Sequence, residues 1–245
     1  MPFANTIYRH ALSTSRLGLL SLALAFSIGA QAASTPKEDS VRPGVNERFL
    51  SEALDVERFV GIFEGESREV SVQREQIAKA LAVSPGMTVA DIGAGTGLFL
   101  PDFDRSVGSE GRVYAVEISP KFLEHLSERA KREKLARVEV VEALEDSVAL
   151  PAASVDLAFV CDTYHHFEYP ESTLASLHKA IRPGGSLVIL DFKRIPGKSR
   201  PWVLEHVRAG KEVFRREIES AGFQFEREVS VEGLKENYVL RFRRP

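Results

Sequence analysis

The sequence is poor in three things, and each absence removes a class of protein. It holds a single cysteine, Cys161, in 245 residues, so no disulfide can form within the chain and the fold must rest on its hydrophobic core. It holds no apolar run of eighteen residues or more, which is the length a membrane-spanning helix needs. It also lacks an excess of positive charge. Its 32 lysines and arginines stand against 35 acids, a net charge of −3, and a mildly acidic chain is a poor binder of nucleic acid. No internal repeat is present.

The N-terminus differs from the rest. Arg9 and Arg16 precede LGLLSLALAFSIGA, an apolar stretch of about fourteen residues, and Ala30-Gln31-Ala32 then puts small residues where a signal peptidase cuts. Residues 1–32 are therefore expected to be a secretory signal peptide, with the protein exported to the periplasm and free of stable membrane association after cleavage. An uncleaved segment anchoring the protein in the membrane is the alternative. No cysteine follows the apolar stretch, which excludes a lipid-modified N-terminus. Cleavage removes the two arginines and no acid, taking the net charge from −3 to −5. Residues 33–46, ASTPKEDSVRPGVN, are polar and aperiodic and read as a flexible leader.

Residues 47–245 are expected to form a single domain. Within it, residues 47–82 carry apolar residues at helical spacing, broken at Gly61 and Gly65, and predict two or three helices. Then the period changes. Five short apolar runs near 87–93, 112–118, 137–143, 155–161 and 185–192 alternate with helical stretches such as FLEHLSERAKREKL and ESTLASLHKAI. Near-continuous apolar strands alternating with helices imply a parallel sheet covered on both faces. The chain ends on a helix, KEVFRREIESAGF, and on FQFEREVSV and NYVLRFR, two period-two runs that predict an antiparallel hairpin.

The chemistry starts at the first strand. VADIGAGTG places Asp91 at the strand's end and glycines at three alternate positions, Gly93, Gly95 and Gly97, around Ala94. Glycines at a tight strand-to-helix turn permit positive φ and let a ligand touch backbone. Glu117 ends the second strand twenty residues beyond Gly97, where an acid can accept from both hydroxyls of a ribose. Two ligands suit such a turn, a dinucleotide and an adenosyl sulfonium. The spacing is G-x-G-x-G, with the third glycine one residue too early for a dinucleotide fingerprint, and Asp91 would repel a pyrophosphate but welcome an α-ammonium.

Taken with Glu117, with Ala143-Leu144-Glu145-Asp146 after the third strand and with IRPGGSLVILDF leading into the fifth, VADIGAGTG resembles the class I S-adenosylmethionine-dependent methyltransferases over most of residues 70–245. The resemblance implies a Rossmann-like three-layer α/β/α sandwich with a seven-stranded, mostly parallel sheet in the order 3-2-1-4-5-7-6 and strand seven antiparallel. It implies S-adenosyl-L-methionine as cofactor and methyl transfer as the activity. Carried onto this chain, it puts Gly93, Ala94, Gly95 and Gly97 beneath the methionine and ribose, and Asp91 near the amino group. Glu117 is put on the ribose hydroxyls, Ile118 beside the adenine, and Glu145 or Asp146 on the adenine amino group.

The end of the fourth strand then acquires a meaning. Ligands of open parallel sheets bind beyond the carboxyl ends of the strands, where the strand order reverses, and CDTYHHFEYP lies there. His165 and His166 are candidates for the base that takes a proton from an oxygen or nitrogen acceptor. Asp162 is a candidate for orienting a histidine or gripping acceptor or cofactor, and Tyr164 for facing the sulfonium with its ring. Cys161 reads as a small apolar residue. No metal site is expected, because adjacent histidines point apart in regular structure and no further histidine lies nearby in sequence.

After the fifth strand, DFKRIPGKSRPWVLEHVRAGKE gathers basic residues in an otherwise acidic chain. Arg194, Arg200 and His206 are the candidate acceptor contacts, for an anionic small molecule. A solvated loop is the other reading. Upstream, Arg68 or Arg74 is a candidate partner for the methionine carboxylate. No dedicated substrate domain is evident, which favours a small-molecule acceptor over a polymer, and nothing in the sequence sets an oligomeric state. A non-catalytic protein that binds or senses the cofactor or a nucleoside on the same fold is the alternative function.

Overall fold

The apolar runs become strands because both of their faces are buried. In the computed structural model, which describes residues 38–66 and 68–245, the strands are β1 (Thr88–Ile92), β2 (Arg112–Glu117), β3 (Val138–Glu142), β4 (Val155–Cys161), β5 (Ile181–Phe192), β6 (Gln224–Glu228) and β7 (Asn237–Arg243). They form one seven-stranded sheet in the order β3-β2-β1-β4-β5-β7-β6. All pairings are parallel except those of β7, which is antiparallel to both of its neighbours.

Alternate residues serve opposite faces. Val89, Leu157, Phe159 and Val188 pack on one side with Phe99, Phe103 and Leu126. Ala90, Ala158, Val160 and Ile189 pack on the other with Leu174, Phe214 and Ile218. Successive Cβ atoms of a strand point to opposite faces, so a strand buried twice must be apolar throughout. The outer strands β3 and β6 are mostly exposed or half-buried, and their sequences alternate with acids and arginine accordingly.

One of the covering helices begins on a side-chain cap from its N-cap residue. Ser119 caps α6 (Pro120–Arg132), accepting from the Phe122 N–H, with Pro120 at its first position, where no donor is missed. Its buried residues Phe122, Leu126 and Arg129 fall on one face. On the same side of the sheet lies α5 (Leu100–Val107), and the other side is covered by α7 (Pro170–Ala180), α8 (Pro201–His206) and α9 (Lys211–Ser220).

Residues 47–82 hold four short helices rather than two or three: α1 (Glu47–Leu50), α2 (Val56–Phe63), α3 (Glu69–Val72) and α4 (Arg74–Ala80). Asp55 accepts from the Arg58 N–H and starts α2 afresh, while Gln73 separates α3 from α4. The α2 start comes from a single polar side chain satisfying a helix end, a weaker signal in sequence than glycine.

The signal peptide expected at residues 1–32 lies outside the described residues, as does the leader as far as residue 37. For residues 38–46 the expectation of a flexible leader is corrected. The Glu38 carboxylate accepts from the Glu171 and Ser172 N–H groups at 2.9 and 2.8 Å and so caps α7. The Val41 N–H donates to the Glu168 carbonyl at 2.9 Å, and the Ser40 hydroxyl to the Glu168 carboxylate at 2.9 Å. Polar, aperiodic sequence suggested disorder, yet those polar groups are what tie the segment down. No helix among the described residues is long and apolar enough to cross a membrane.

Candidate active site

The chain leaves β1 toward β2 on one side and returns to β4 on the other, so a crevice opens at the carboxyl ends of β1 and β4. There the structure has a cavity of about 760 Å³. Its roof comes from α1 and α2, whose Phe49, Phe59 and Phe63 cluster with Phe122 at centroid distances of 5.2 to 6.3 Å. Its floor is the glycine turn.

That turn needs its glycines for different reasons. Gly93, Gly95 and Gly97 all have positive φ, at 67°, 55° and 85°. A Cβ on Gly93 would lie 2.3 Å from Thr163 Cγ2, so a side chain there would push β4's exit away. At Gly95 the nearest atoms are Phe63 ring carbons at 3.7 Å, and a Cβ would fit but would occupy the cradle. Gly95 therefore leaves room for a ligand, whereas Gly93 leaves room for the Thr163 side chain.

Two acids border this cradle. Asp91 is 3% exposed and lines the cavity, and its carboxylate accepts no hydrogen bond from any described residue. Burial, with the nearby Glu117 carboxylate, pushes its pKa up to about 7. Glu117 is held differently. It accepts from the N–H groups of Gly95 at 2.9 Å, Ile118 at 2.9 Å and Ser119 at 3.0 Å. Burial raises its pKa and these three donors oppose the rise. A carboxylate has roughly four lone-pair positions, so Glu117 is fixed in orientation and still able to accept from a hydroxyl. Ile118 and Glu145 also line the cavity, whereas Asp146 does not reach it.

Asp162 sits at the exit of β4 with φ of 47°. Its carboxylate accepts from Arg68 Nη2 at 2.6 Å and from Asn237 Nδ2 at 2.6 Å. Burial raises the Asp162 pKa, and the Arg68 charge opposes that rise. Arg68 thus reaches the cavity, but Arg74 does not, being paired with the buried Asp102 at 2.8 Å. Cys161 lines the cavity beside Asp162. Burial, then the Asp162 charge, push its pKa well up, which disfavours the thiolate.

The two histidines occupy a single 3-10 turn, Tyr164–His166. His165 gives Nδ1 to Asp191 at 2.8 Å, and its backbone N–H donates to the same carboxylate at 3.2 Å. Asp191 is fully buried at the end of β5. His166 is clasped by Asn46, whose Nδ2 donates to the His166 carbonyl at 3.0 Å while Oδ1 faces His166 Nδ1 at 3.2 Å. His166 Nε2 in turn lies 3.2 Å from Nε2 of His206 on α8. Burial above all, and then the surrounding positive groups, push His166 well below its ordinary pKa and His206 down to about 4.

Three expectations change here. Tyr164 does not face the cavity: it is fully buried, its hydroxyl donates to Glu217 at 3.0 Å, and its ring packs on Phe167 and Phe214. Within this 3-10 turn the Tyr164 side chain enters the core while His165 and His166 line the cavity. Arg194 does not reach the cavity either, because its guanidinium donates to the carbonyls of Val207 at 2.8 Å and Leu204 at 2.9 Å, closing the end of α8. Arg200 does line it, paired with Glu236 at 2.5 Å and placed over Trp202. The premise that the histidines diverge also fails. The rings of His165 and His166 have centroids 4.4 Å apart, and His206 brings a third ring 5.1 and 4.9 Å from them.

Sequence reasoning missed Asp191, Asn46 and Asn237. Asp191 carried a signal, since it is an acid closing a buried strand just as Asp91 does. The two asparagines carried none, because their partners lie 120 and 75 residues away.

Residues 90–189 match the family model described as Methyltransferase domain. The chain is similar to the ubiquinone/menaquinone biosynthesis C-methyltransferase UbiE of Ralstonia pickettii (strain 12J), with 30% identity over 159 residues, 59% of this chain and 63% of that protein. It is similar to the protein of the same name from Enterobacter sp. (strain 638), with 30% identity over 118 residues, 46% of this chain and 45% of the other. The chain thus spans about half the length of the curated relatives it matches. Among solved structures it resembles a SAM-dependent methyltransferase from Aquifex aeolicus, with a TM-score of 0.69 and 28% identity, over 78% of this chain and 99% of that one.

Proposed function

We propose that this protein is a class I methyltransferase that binds S-adenosylmethionine and transfers its sulfonium methyl group to a small-molecule acceptor held beside its histidines, a reading supported by the methyltransferase-domain match over residues 90–189 and by the fold. One observation carries the reading: the buried Asp91 carboxylate accepts from no described residue and lines the same cavity as the Gly95 cradle. A ligand with an α-ammonium completes that carboxylate, and a ribose diol completes Glu117. In this reading Gly93, Ala94 and Gly95 support the methionine and ribose, Ile118 flanks the adenine, and Glu145 at the rim accepts from its amino group; Gly97, expected beside them, instead faces Leu100 and Leu126 and does not line the cavity.

When bound, the cofactor supplies a methyl carbon on a positively charged sulfur, open to in-line attack from the opposite side. The acceptor's new bond to that carbon forms as the carbon–sulfur bond breaks, and the bonding pair leaves with sulfur as a neutral thioether. An oxygen or nitrogen acceptor must also lose a proton. His165 is placed to take it, with Asp191 fixing Nδ1 as the protonated nitrogen and leaving Nε2 basic. Asp162, clamped by Arg68 and Asn237, orients the acceptor or the cofactor near the transferring group. An anionic acceptor is the finer part of the proposal, and Arg200 with His206 would meet it at the cavity's edge. The protein is further proposed to be exported, on the strength of the signal-like residues 1–32. Over a passive sensor, the reading is favoured by the His165–Asp191 pair, since binding alone has no use for an oriented base.

Calorimetric titration of the purified protein with S-adenosylmethionine and with its demethylated product tests the reading. Micromolar binding of both is expected, abolished in Gly95→Asp, whose side chain fills the cradle and adds charge beside Glu117. A folded wild-type protein that binds neither would refute it.

A further inference from the structure

We propose that His165, His166 and His206 form a three-nitrogen site for a divalent first-row transition ion, with its open position turned toward the acceptor side of the cavity. One nitrogen from each ring lies within 4.8 Å of the others, and all three residues line the cavity. The His166 and His206 Nε2 atoms are 3.2 Å apart. Two imidazole nitrogens bound to one tetrahedral Zn²⁺ at about 2.0–2.1 Å each stand roughly 3.3–3.4 Å from one another, so this edge of the site is already close to its bound length.

The protons around the rings point the same way. The Asn46 amide is fixed in orientation, because its Nδ2 donates to the His166 carbonyl while Oδ1 faces His166 Nδ1. An Oδ1 acceptor requires a proton on Nδ1 and leaves the His166 Nε2 lone pair free. The Asp191 carboxylate imposes the same tautomer on His165. Imidazoles that ligate metals characteristically give their other nitrogen to a carboxylate or amide oxygen in this way. Two of the three rings therefore carry such a support, from residues distant in sequence. The third, His206, stands on α8, and Arg42 bonds its carbonyl and that of Glu205, which anchors the helix end.

Three protein ligands and one open position are the pattern of catalytic rather than structural sites. An ion there would bind an acceptor through oxygen and lower the pKa of a coordinated hydroxyl, which then loses its proton to solvent. The His165 lone pair serves either as base or as ligand, so an occupied site replaces the base. This chemistry rests on the methyl-transfer reading, but the ion site itself does not.

The test uses untagged full-length protein stripped with a chelator and titrated with Co²⁺, following visible d–d absorption, with Zn²⁺ as competitor. One equivalent of Co²⁺ with bands of four- or five-coordinate intensity is expected, displaced by Zn²⁺. His206→Ala and His166→Ala should lose the bands. Asp191→Asn, which alters a positioning residue, should weaken binding about 10–100-fold. Binding of the demethylated cofactor, measured separately on each variant, reports that the fold and cofactor site persist. Absence of bands in the wild type, or bands of unchanged affinity in His206→Ala, would overturn the site whatever the cofactor titration gives. Cobalt binding without cofactor binding would instead retain the metal site and remove the methyltransferase reading.

Discussion

Asp91 concentrates the site's electrostatics in one residue. Without a ligand, burial and the Glu117 charge push its pKa up to about 7 in the fold, from about 3.8 for an ordinary aspartate, so between those values the folded chain binds the extra proton. The stability this group provides is complete below about pH 4 and declines as the pH rises to about 7. Asp91→Asn should therefore be more stable than the wild type at pH 8 and no more stable at pH 4, as read by thermal melts without cofactor. Cofactor binding reverses the sign, because an ammonium favours the ionised acid. Wild-type affinity should rise from pH 6 to pH 8, and the variant should bind roughly 10–100-fold more weakly at pH 8, the worth of about one charge-assisted hydrogen bond. A pH-independent wild-type affinity would count against Asp91 as the ammonium partner. Tyr164 and Arg194 show the converse. Both are polar residues at the right address in sequence, yet both are spent on structure, on Glu217 and on the end of α8.

Among the elements, the loop between β6 and β7 depends most on a single contact. Glu69, opening α3, accepts from three consecutive backbone N–H groups, those of Lys235, Glu236 and Asn237, at 2.7 to 2.8 Å. Asn237 in turn holds Asp162, so α3 reaches the centre of the cavity through this loop. Glu69→Ala should cost about 1–3 kcal/mol, since it leaves three donors to find water. It should also accelerate amide exchange at residues 235–237 and weaken cofactor binding several-fold. Unchanged exchange there would mean that β7 alone sets the loop. The 3-10 turn after β4 is a second such element. Three residues send one side chain into the core and two toward the cavity, which is how adjacent histidines come to share a wall.

At the scale of the whole molecule, the sheet is the rigid frame and the site lies at one end of it. Phe159 in the central strand β4 is fully buried, with Phe99 and Phe103 edge-on at 5.0 and 5.9 Å. Phe159→Ala should cost about 3–5 kcal/mol, seen as a lower urea midpoint at unchanged slope. Cofactor affinity of the folded fraction should be retained, because the ring lies below the cavity rather than in it. A large loss of affinity at small loss of stability would show that this part of the core shapes the site directly.

By itself, the sequence determined the strands, the strand-to-helix alternation, the antiparallel ending, the glycine turn with Asp91 and Glu117, and the strand end that carries Asp162, His165 and His166. These are local facts, carried by periodicity, by the conformational freedom of glycine and by acids at strand ends, and neighbours in sequence suffice to state them. Tertiary structure alone decided which polar residues meet. His206 joins His166 across 40 residues, Asn46 across 120 and Asp191 joins His165 across 26. It also decided that residues 38–46 dock rather than wave, since the groups that hold them belong to α7 and to the turn after β4. The physical reason is the same in each case. A side chain's chemistry is written in its own residue, whereas its partner is set by the path of the backbone, and that path is fixed by burying two faces of a sheet.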